Sequence, residues 1–406
     1  MSGSDAPLAG VRVIDLTRLL PGPVATMHLA DLGADVVKIE DCEAGDYLRT
    51  LPPQVKLVGR GKGNPMFEAV NRGKRSLRIN LKVPAARDLF FRLVATADVL
   101  IESFRPGVMA KLGLGYEALA ARSPRLVYCS LSGYGQDGPM AAQAGHDINY
   151  LAVAGVLDQI RAFESPAIPG IQIADLLGGA MSALPPLLAA LYAAQRTGRG
   201  RFIDVAMAES MLGHHFFATA LVDAGTPPVA ERTLLTGGAP CYRCYETSDS
   251  RLLAVGALEH KFWSAFCEGV GLPSLKRKHW SLGEAPGSSQ AHATMERIAG
   301  RIRECSAAEW EAVFSGIDAC VTIVATPAEA LAHPQFLARG VVHKRGAVSH
   351  IGPLARASRT TFTARPAPRA GQHTVELLRE LGCDAVVINH LFVSGAVRGE
   401  RAPGTL

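Results

Sequence analysis

Residues 11–40, VRVIDLTRLLPGPVATMHLADLGADVVKIE, decide the fold class of this chain. Val11–Leu16 is a short run of apolar, largely β-branched residues, which predicts a buried strand. A Pro-Gly-Pro break follows it and can begin a helix that continues to about Leu32, because proline is tolerated in a first helical turn. Asp35–Glu40 predicts a second strand. A strand, a helix and a strand in this order indicate two parallel strands joined by a crossover helix.

Further strands alternate with helices along the first half of the chain. Strands are predicted at Ser76–Asn80, Val99–Glu102 and Leu126–Leu131, and helices at Pro84–Thr96 and Phe202–Ala224. This alternation predicts an α/β fold, a Rossmann-like doubly wound parallel sheet covered by helices. No GxGxxG fingerprint follows the first strand, which argues against a nicotinamide-dependent enzyme.

The pattern of predicted secondary-structure elements changes after about Pro227. Two strands around a polar turn are predicted at Tyr242–Thr247 and Leu252–Val255, and several helices follow. We therefore expect a large Rossmann-like domain over residues 1–225 and a smaller α+β domain over residues 226–330. The C-terminal segment, residues 331–406, is expected to return to the large domain.

Composition and charge exclude several classes of protein. Hydrophobic residues make up 48% of the chain, enough for a packed core, and a formal charge of +5 suits small anionic ligands better than nucleic acid. The N-terminus lacks the apolar core of a signal peptide, and the longest apolar run, 178–194, predicts a buried helix rather than a membrane span. The cysteines form no disulfide or zinc framework. We expect a cytoplasmic protein that binds no membrane and no metal.

Two side chains within residues 143–181 indicate acid–base chemistry. The pKa of a histidine such as His146 normally lies close to neutral. Asp175 lies where a long helix is predicted to begin, and the pKa of a carboxyl group can be raised toward neutrality in a closed pocket. Together the two could move a proton at a carbon next to a carbonyl. The backbone N–H of Asp147, at the start of another predicted helix, could stabilise the enolate oxygen.

Each of these residues also has an ordinary structural interpretation. Taken alone, His146 is more often a buried, hydrogen-bonded histidine, and Asp175 is more often a helix N-cap. Glu259 alone would be a residue at the start of a helix. The chain has no GxSxG elbow, no Walker loop and no HExxH motif, so none of these motifs offers a competing reaction.

Six stretches in the same order resemble the family III CoA-transferases, the CaiB/BaiF-like superfamily. They are PLAGVRVIDLTRLLPGPVATMHLADLGADVVKIE at 7–40, NRGKRSLRINLK at 71–82, ADVLIESFRPGVMAKLGLGY at 97–116, LSGYGQDGP at 131–139, TGRGRFIDVAMAES at 197–210 and GGAPCYRCYETSD at 237–249. The resemblance covers nearly the whole chain. Within the superfamily the chain is most similar to the α-methylacyl-CoA racemases, because AGHDINY at 144–150 and AVGALEHKFW at 254–263 resemble racemase motifs.

The resemblance implies a role for each candidate residue. Asp175 falls where the superfamily keeps its catalytic aspartate, His146 would be the second base, and Glu259 would support the pair. No cofactor beyond the CoA part of the substrate is implied, and an interlocked homodimer would place the active site against the partner's small domain. The implied contacts with CoA are Ile79, Asn80, Leu81, Lys82, Ser103, Phe104, Arg105, Lys111, Gly145, Asp147, Ile148, Asn149 and Tyr150.

These features predict racemisation or epimerisation of 2-methylacyl-CoA thioesters by 1,1-proton transfer through an enolate. One alternative is a CoA-transferase in which Asp175 forms a mixed anhydride with the acyl group. The irregular segment Glu43–Asn71 resembles that branch, and Asp41 occupies a position where racemases carry a basic residue. Another alternative is a non-catalytic acyl-CoA-binding protein. Sterol, branched fatty and aromatic acyl groups all remain open.

Overall fold

The computed structural model describes residues 5–59, 61–162, 165–353, 362–363 and 365–400. They divide into two compact units. The first unit contains the residues up to Ala154, Gly170–His214 and the residues from Gln335 onward, and the second unit contains Gly155–Pro169 and His215–Pro334.

The strands are β1 (Arg12–Asp15), β2 (Asp35–Glu40), β3 (Val55–Lys56), β4 (Lys62–Gly63), β5 (Arg75–Ile79), β6 (Val99–Glu102), β7 (Val127–Ser132), β8 (Arg161–Ala162), β9 (Ser165–Pro166), β10 (Phe202–Ala206), β11 (Tyr242–Glu246), β12 (Leu252–Gly256), β13 (Val321–Ile323), β14 (Val342–Arg345), β15 (Val348–Ile351) and β16 (Val397–Arg398).

The α-helices are α1 (Pro21–Asp31), α2 (Pro65–Asn71), α3 (Pro84–Val94), α4 (Val108–Lys111), α5 (Tyr116–Ala120), α6 (Asp147–Val153), α7 (Val156–Gln159), α8 (Ser182–Thr197), α9 (Met207–His214), α10 (Phe216–Asp223), α11 (His260–Gly269), α12 (Ser289–Ile302), α13 (Ala307–Phe314), α14 (Pro327–Ala332), α15 (Pro334–Ala338), α16 (Thr374–Glu380) and α17 (Ala385–Val393). Short 3₁₀ helices occur at Tyr47–Arg49, Leu234–Thr236, Pro273–Arg277 and Trp280–Leu282, and a π-helix at Ala174–Met181.

A seven-stranded sheet organises the first unit, with the strand order β10-β7-β6-β1-β2-β5-β16. Neighbouring strands are parallel, except that β16 runs antiparallel to β5. The chain adds strands outward from β1 to β5, and then crosses back to continue from β6 to β10. The order therefore reverses between β1 and β6, which is the position where open α/β sheets bind ligands. The predicted α/β, doubly wound fold is confirmed.

Helices cover both faces of this sheet. On one face Phe90 and Leu93 of α3 and Leu377 of α16 belong to one hydrophobic cluster with the strand residues Val37 and Leu100. Because side chains alternate between the faces of a strand, the neighbouring residues of β1 and β2 face the other way. There α1 packs against β1, β2 and β6, and α8 packs against β7 and β10.

The strand β10 differs from the prediction, which placed a helix from Phe202 onward. The segment Phe202–Ala206 contains the β-branched residues Ile203 and Val205, which favour strands, and it extends the sheet beside β7. Gly200 permits this close approach, because a Cβ there would lie 1.9 Å from the carbonyl oxygen of Leu126. The predicted helix is thus replaced by a strand followed by α9 and α10.

The segment Glu43–Asn71, which we expected to be irregular, ends in a regular helix. Asn64 caps α2 through its side-chain oxygen, which accepts the backbone N–H groups of Met66 and Phe67 at 2.7 and 3.0 Å. Pro65 occupies the first turn, where its missing N–H group is not needed.

The second unit contains a three-stranded antiparallel sheet in the order β11-β12-β13. Its core is rich in aromatic side chains, and Trp263, Phe266 and Trp310 are almost completely buried. The helices α11, α12 and α13 supply these and other core residues. An α+β unit therefore accompanies the doubly wound sheet.

Within the described ranges, one helical segment is long and apolar enough to cross a membrane, the continuous helix Ala174–Thr197. This segment packs against α1 and α9 and against two strands of the sheet, as the core helix of a soluble protein does. The fold is consistent with a soluble protein.

Candidate active site

A cleft of about 380 Å³ opens in the first unit at the carboxyl ends of β1, β6 and β7. Its lining includes Ser103–Pro106, which follows β6, and Leu131–Tyr134, at the end of β7. Arg18 and Leu19, just after β1, form another wall. The cleft therefore lies where the strand order reverses, at the edge of the sheet that favours ligand binding.

His146 lines this cleft as the residue immediately before α6. Its imidazole is exposed, and its backbone N–H donates to the side-chain oxygen of Asn149 at 3.0 Å. This hydrogen bond helps to fix where the helix begins, and α6 covers Asp147–Val153 as the sequence predicts. The first-turn N–H groups of a helix have no acceptor within the helix and carry its positive dipole end. The start of α6 thus offers hydrogen-bond donors beside His146.

The ring of Tyr150 fills a space that two glycines leave open. A Cβ at Gly133 would lie 2.3 Å from this ring, and a Cβ at Gly145 would lie 2.7 Å from it. The Tyr150 hydroxyl donates to the carbonyl oxygen of Gly145 at 2.6 Å. The ring also packs edge-on against Tyr134, with ring centroids 5.2 Å apart. These contacts tie the segment before His146 to the first turns of α6.

Asp175 lies in the first turn of the π-helix Ala174–Met181, which continues directly into α8. The N-cap position is Ile173, so Asp175 is not the helix cap that its sequence context could also indicate. Such π-helical segments are rare and frequently occur at functional sites. The backbone N–H of Asp175 donates to Asp147 Oδ1 at 2.9 Å. This hydrogen bond joins the two segments that carry the candidate bases.

The protonation equilibrium of Asp175 is shifted toward neutral pH. Burial raises the pKa of Asp175 to about 6, and the nearby Asp147 carboxylate contributes in the same direction, whereas His146 lowers the pKa. Burial disfavours the charged form of a carboxyl group, and a neighbouring negative charge does the same. A carboxyl group with this pKa can both accept and return a proton close to neutral pH. Asp175 and His146 therefore present two proton-transfer groups to one cleft.

A buried ion pair shapes the cleft wall after β1. Lys38 and Asp46 are both fully buried and lie 2.9 Å apart. Lys38 Nζ also donates to the carbonyl oxygen of Thr17 at 2.9 Å, and Asp46 Oδ1 accepts the backbone N–H of Leu19 at 3.4 Å. Leu19 has a φ of 61°, a left-handed conformation that costs energy in a residue with a branched side chain. The ion pair thus holds a strained turn at the edge of the cleft.

Part of the expected CoA-binding set lines the cleft. Ser103, Phe104 and Arg105 do so from the turn after β6, and Gly145 and Tyr150 do so from the segment around His146. Asp147, Ile148 and Asn149 form the first turn of α6 and are not among the residues that line the cleft.

The other expected CoA contacts lie outside the lining of this cleft. Ile79 ends β5 and is buried in the core, and Leu81 packs partly buried against the same cluster. The Asn80 side chain accepts the backbone N–H of Lys82 at 3.2 Å, and Lys82 itself is exposed. Lys111 is exposed at the end of α4.

Glu259 belongs to the second unit. It is exposed and is the N-cap residue of α11, without a side-chain capping hydrogen bond. Its carboxylate contributes, after burial and Asp318, to the raised pKa of the Cys320 thiol. The expected support of His146 and Asp175 by this residue remains a prediction.

Asp41, which stands where racemases were expected to carry a basic residue, orders the turn after β2. Its Oδ1 accepts the backbone N–H groups of Glu43, Ala44 and Gly45 at 2.9, 2.7 and 3.1 Å. Its Oδ2 pairs with Arg18 at 2.7 Å. The acidic residue therefore links this turn to the cleft wall.

Two tyrosines that were not predicted as site residues, Tyr47 and Tyr134, also line the cleft. Burial raises the pKa of Tyr47, and the carboxylates of Asp46 and Asp175 add to this effect. The position of Tyr134 could have been inferred, because it lies in a glycine-rich loop at the carboxyl end of a predicted strand. No comparable signal marked Tyr47, which lies in a segment without hydrophobic periodicity.

The model of CoA-transferase family III matches residues 8–374. The chain belongs to CoA-transferase family III. Its relatives in this family include the alpha-methylacyl-CoA racemase of Mus musculus, which is 36% identical over 98% of this chain and 100% of the relative. The succinyl-CoA:glutarate CoA-transferase of Homo sapiens is 33% identical over 96% of this chain and 90% of the relative.

A crystal structure of a CAIB/BAIF family protein from Brucella suis shares the fold. It has a TM-score of 0.80 and 29% sequence identity, and the match covers 93% of this chain and 99% of the other. Relatives named as a racemase and as a CoA-transferase are thus similar to this family III chain at almost equal identity.

Proposed function

We propose that the protein is an enzyme that racemises or epimerises 2-methylacyl-CoA thioesters by 1,1-proton transfer. The observation that carries the proposal is that His146 and Asp175 line one cleft, with the pKa of Asp175 raised to about 6. The similarity to the alpha-methylacyl-CoA racemase of Mus musculus supports it. Two bases on one cleft suit a reaction in which a proton leaves one face of a carbon and returns to the other.

In the proposed reaction one base removes the proton from the carbon next to the thioester carbonyl. The C–H electron pair forms a C=C bond, and the carbonyl π electrons move to oxygen, giving an enolate. The conjugate acid of the other base then protonates the opposite face of this carbon. His146 would serve one enantiomer and Asp175 the other, and Glu259 would orient one of them. The N–H of Asp147, at the positive end of α6, would donate to the enolate oxygen.

The CoA part of the substrate would bind along the turn after β6. Ser103, Phe104 and Arg105 line the cleft there, and a guanidinium group suits phosphate oxygens in charge and geometry. Residues 79–82 and Lys111 would contact the more distant part of CoA. The proton transfer itself requires neither a metal ion nor a redox cofactor.

We further propose that the enzyme is a cytoplasmic homodimer. Helix α10 has no buried residues, and its side chains Phe217 and Val222 are strongly exposed. Exposed apolar side chains on one helix are typical of a surface that another chain covers. The partner would contribute Glu259 to the active site. The free cysteines at described positions, such as Cys241 and Cys244, agree with a reducing compartment.

A CoA-transferase is the second candidate, supported by the 33% identity to the succinyl-CoA:glutarate CoA-transferase of Homo sapiens. In that reaction the Asp175 carboxylate would attack the thioester carbonyl, release CoA as a thiolate and form an acyl-aspartyl anhydride. The thiolate would then attack the Asp175 acyl carbon, releasing the donor acid and leaving an aspartyl-CoA thioester. The acceptor carboxylate would attack that thioester to form a second anhydride, and CoA would attack its acceptor acyl carbon, giving the new acyl-CoA and regenerating the Asp175 carboxylate. This candidate leaves His146 in the cleft without an evident role. Pure acyl-CoA binding explains still less, because binding needs no pair of proton-transfer groups.

The experiment that tests the proposal incubates the protein with one enantiomer of a 2-methylacyl-CoA in deuterated water. We expect the α-hydrogen to exchange and the configuration to scramble without any acceptor acid. Hydroxylamine, which cleaves acyl anhydrides, should not trap an acyl group on Asp175. Trapping of that adduct, together with CoA transfer to a free carboxylate and no exchange, would contradict racemisation and support the transferase.

Single substitutions then show which enantiomer each of the two bases serves. The His146→Ala variant should lose net interconversion by about a hundredfold to ten-thousandfold, yet Asp175 should still exchange the α-proton of one enantiomer. The Asp175→Ala variant should retain exchange of the opposite enantiomer. Equal residual exchange of both enantiomers in either variant would show that one base serves both faces, and the assignment would be wrong.

A further inference from the structure

A second buried carboxyl group, Glu102, lies directly behind the wall of the cleft. It ends β6, all four residues of which are buried, and its own exposed fraction is 4%. Its Oε2 accepts the backbone N–H of Phe104 at 2.7 Å. Phe104 belongs to the turn Ser103–Pro106, which lines the cleft. Glu102 therefore holds this turn through a charge-assisted hydrogen bond from behind.

The other oxygen of Glu102 reaches the neighbouring strand. Its Oε1 accepts the hydroxyl of Ser130 in β7, and Ser130 Oγ in turn accepts the side-chain amide of Gln136 at 2.8 Å. The backbone N–H of Gln136 donates to Asp204 Oδ2 at 2.9 Å. Gln136 lies in the loop after β7, close to Gly133 in the cleft wall. One carboxylate thus connects the two cleft-lining loops that follow β6 and β7.

Glu102 also borders a separate cavity of about 200 Å³, which Gln136 and Arg105 line with it. Arg105 lines the cleft as well, so the turn after β6 separates the two spaces. Burial raises the pKa of Glu102 to about 6, against the hydrogen bonds from Ser130 and Phe104, which lower it. The charge on this buried group can therefore change close to physiological pH.

Several titratable groups face Glu102 from the elements around it. Asp204 raises its pKa, and Tyr128 lowers it through a hydrogen bond. The Cys129 thiol also interacts electrostatically with it. The remaining titratable groups around the shared cavity are Arg105, Tyr116 and Glu117.

We infer that Glu102 is a positioning residue for the substrate cleft, whose ionised carboxylate holds the turn after β6 in the arrangement that binds CoA. This inference rests on the proposed function, because it assumes that Ser103, Phe104 and Arg105 contact CoA. Protonation of Glu102 replaces an acceptor by a donor, so the hydrogen bonds from Phe104 and Ser130 are weakened. Affinity for CoA should then fall as the pH drops through about 6.

The test measures the Kd of free CoA by calorimetry across about pH 5 to 8, a range that brackets the titration. All proteins carry Asp175→Asn, so that the titration of Asp175 does not contribute. Glu102→Gln keeps the shape of the side chain and removes its charge. Above the pKa of Glu102 we expect this variant to bind CoA about tenfold more weakly than its parent, as for the loss of a charge-assisted hydrogen bond. The difference in CoA affinity between the variant and its parent should become smaller at the acidic end of the pH range.

The matched control is Glu117→Gln, which neutralises an exposed carboxylate at the rim of the same cavity. It should bind CoA with the Kd and the pH dependence of the parent. The phosphates of CoA also titrate in this range, but their contribution cancels in the ratio of two variants at one pH. A general loss of structure would weaken binding equally at every pH, so the pH dependence of the ratio is specific to the charge of Glu102.

Two results would overturn the positioning role while leaving the proposed function intact. One is a Glu102→Gln variant that binds CoA like its parent at every pH, and the other is a constant ratio of their affinities. If Glu102→Gln does not fold, Ser130→Ala removes the hydroxyl that holds the carboxylate and should weaken CoA binding several-fold. An unchanged Kd in that variant overturns the role as well. Absence of CoA binding by the parent would instead contradict the proposed function.

Discussion

At the scale of single residues, burial is the main cause of the raised pKa of Asp175, and Asp147 adds to it. Asp147 accepts the backbone N–H of Asp175 and, as a neighbouring negative charge, raises the pKa of that carboxyl group. Asp147→Asn keeps a side-chain oxygen for the hydrogen bond but removes the charge. The pKa of Asp175 should therefore fall from about 6, so that Asp175 remains an active base at lower pH.

This prediction is checked by the pH dependence of α-proton exchange for the enantiomer that Asp175 serves. In a His146→Ala background, Asp147→Asn should move the acidic limb of the rate profile to lower pH and raise the relative rate near pH 5 several-fold. Asp137→Asn, a change of an exposed carboxylate in a neighbouring loop, should leave the limb in place. An unmoved limb in Asp147→Asn would show that burial alone sets the pKa.

The chemistry of the site was partly predictable from residue types. His146 and Asp175 could be selected because imidazole and a carboxylate at a helix start are suited to proton transfer. The raised pKa of Asp175 was not predictable in detail, because it depends on burial and on the approach of Asp147 from another segment. Glu102 was also predictable as a candidate, because it is an ionisable residue that ends an otherwise apolar strand.

At the scale of secondary-structure elements, glycines allow the π-helix Ala174–Met181 to pack closely against α9 and α1. A Cβ at Gly178 would lie 2.8 Å from the carbonyl oxygen of Met207, so Gly178→Ala must displace this helix. The free energy of unfolding should fall by about 1–3 kcal/mol, as for other overpacked sites. The shift should also move Asp175, and misplacement by about 1 Å can lower kcat by roughly a hundredfold.

Thermal unfolding and kcat of the same variant test this coupling between packing and catalysis. The matched control is Gly213→Ala in α9, where an added Cβ meets open space. Alanine favours a helix over glycine by roughly 0.5–1 kcal/mol, so this variant should be at least as stable as the wild type. A Gly178→Ala variant with normal Tm and kcat would refute the packing argument.

Secondary structure was predictable where local pattern and tertiary packing agree. The strand–helix–strand unit at β1, α1 and β2 follows directly from periodicity, and so does α6. The prediction was wrong for Phe202–Ala206, because a short, largely apolar segment is compatible with either a helix or a strand. The parallel pairing with β7, which depends on the distant contact at Gly200, decides the outcome.

At the scale of the whole molecule, the proposed homodimer predicts complementation between inactive variants. If the active site combines Asp175 of one subunit with Glu259 of the other, then Asp175→Asn and Glu259→Gln homodimers should both be nearly inactive. A heterodimer of the two has one intact site. It should therefore recover about half of the wild-type rate.

Differently tagged subunits allow the heterodimer to be isolated and its racemisation rate to be measured. The pair Asp175→Asn with His146→Ala is the matched control, because both residues belong to the first unit of the same chain. Each site in that heterodimer would lack one base, and no recovery is expected. Recovery in the control, or none in the test pair, would show that Glu259 does not act across the dimer.

The discontinuous first unit has a consequence for synthesis on the ribosome. The second unit interrupts it, and the edge strand β16 pairs with β5 only after Val397 has been translated. About 190 residues separate β10 from that strand, so at ordinary elongation rates the sheet remains incomplete for roughly 10–40 s. Until α16 and α17 emerge, the apolar face that they cover stays open on the nascent chain. Chaperones that bind apolar surfaces therefore have their longest opportunity at this face, before translation ends.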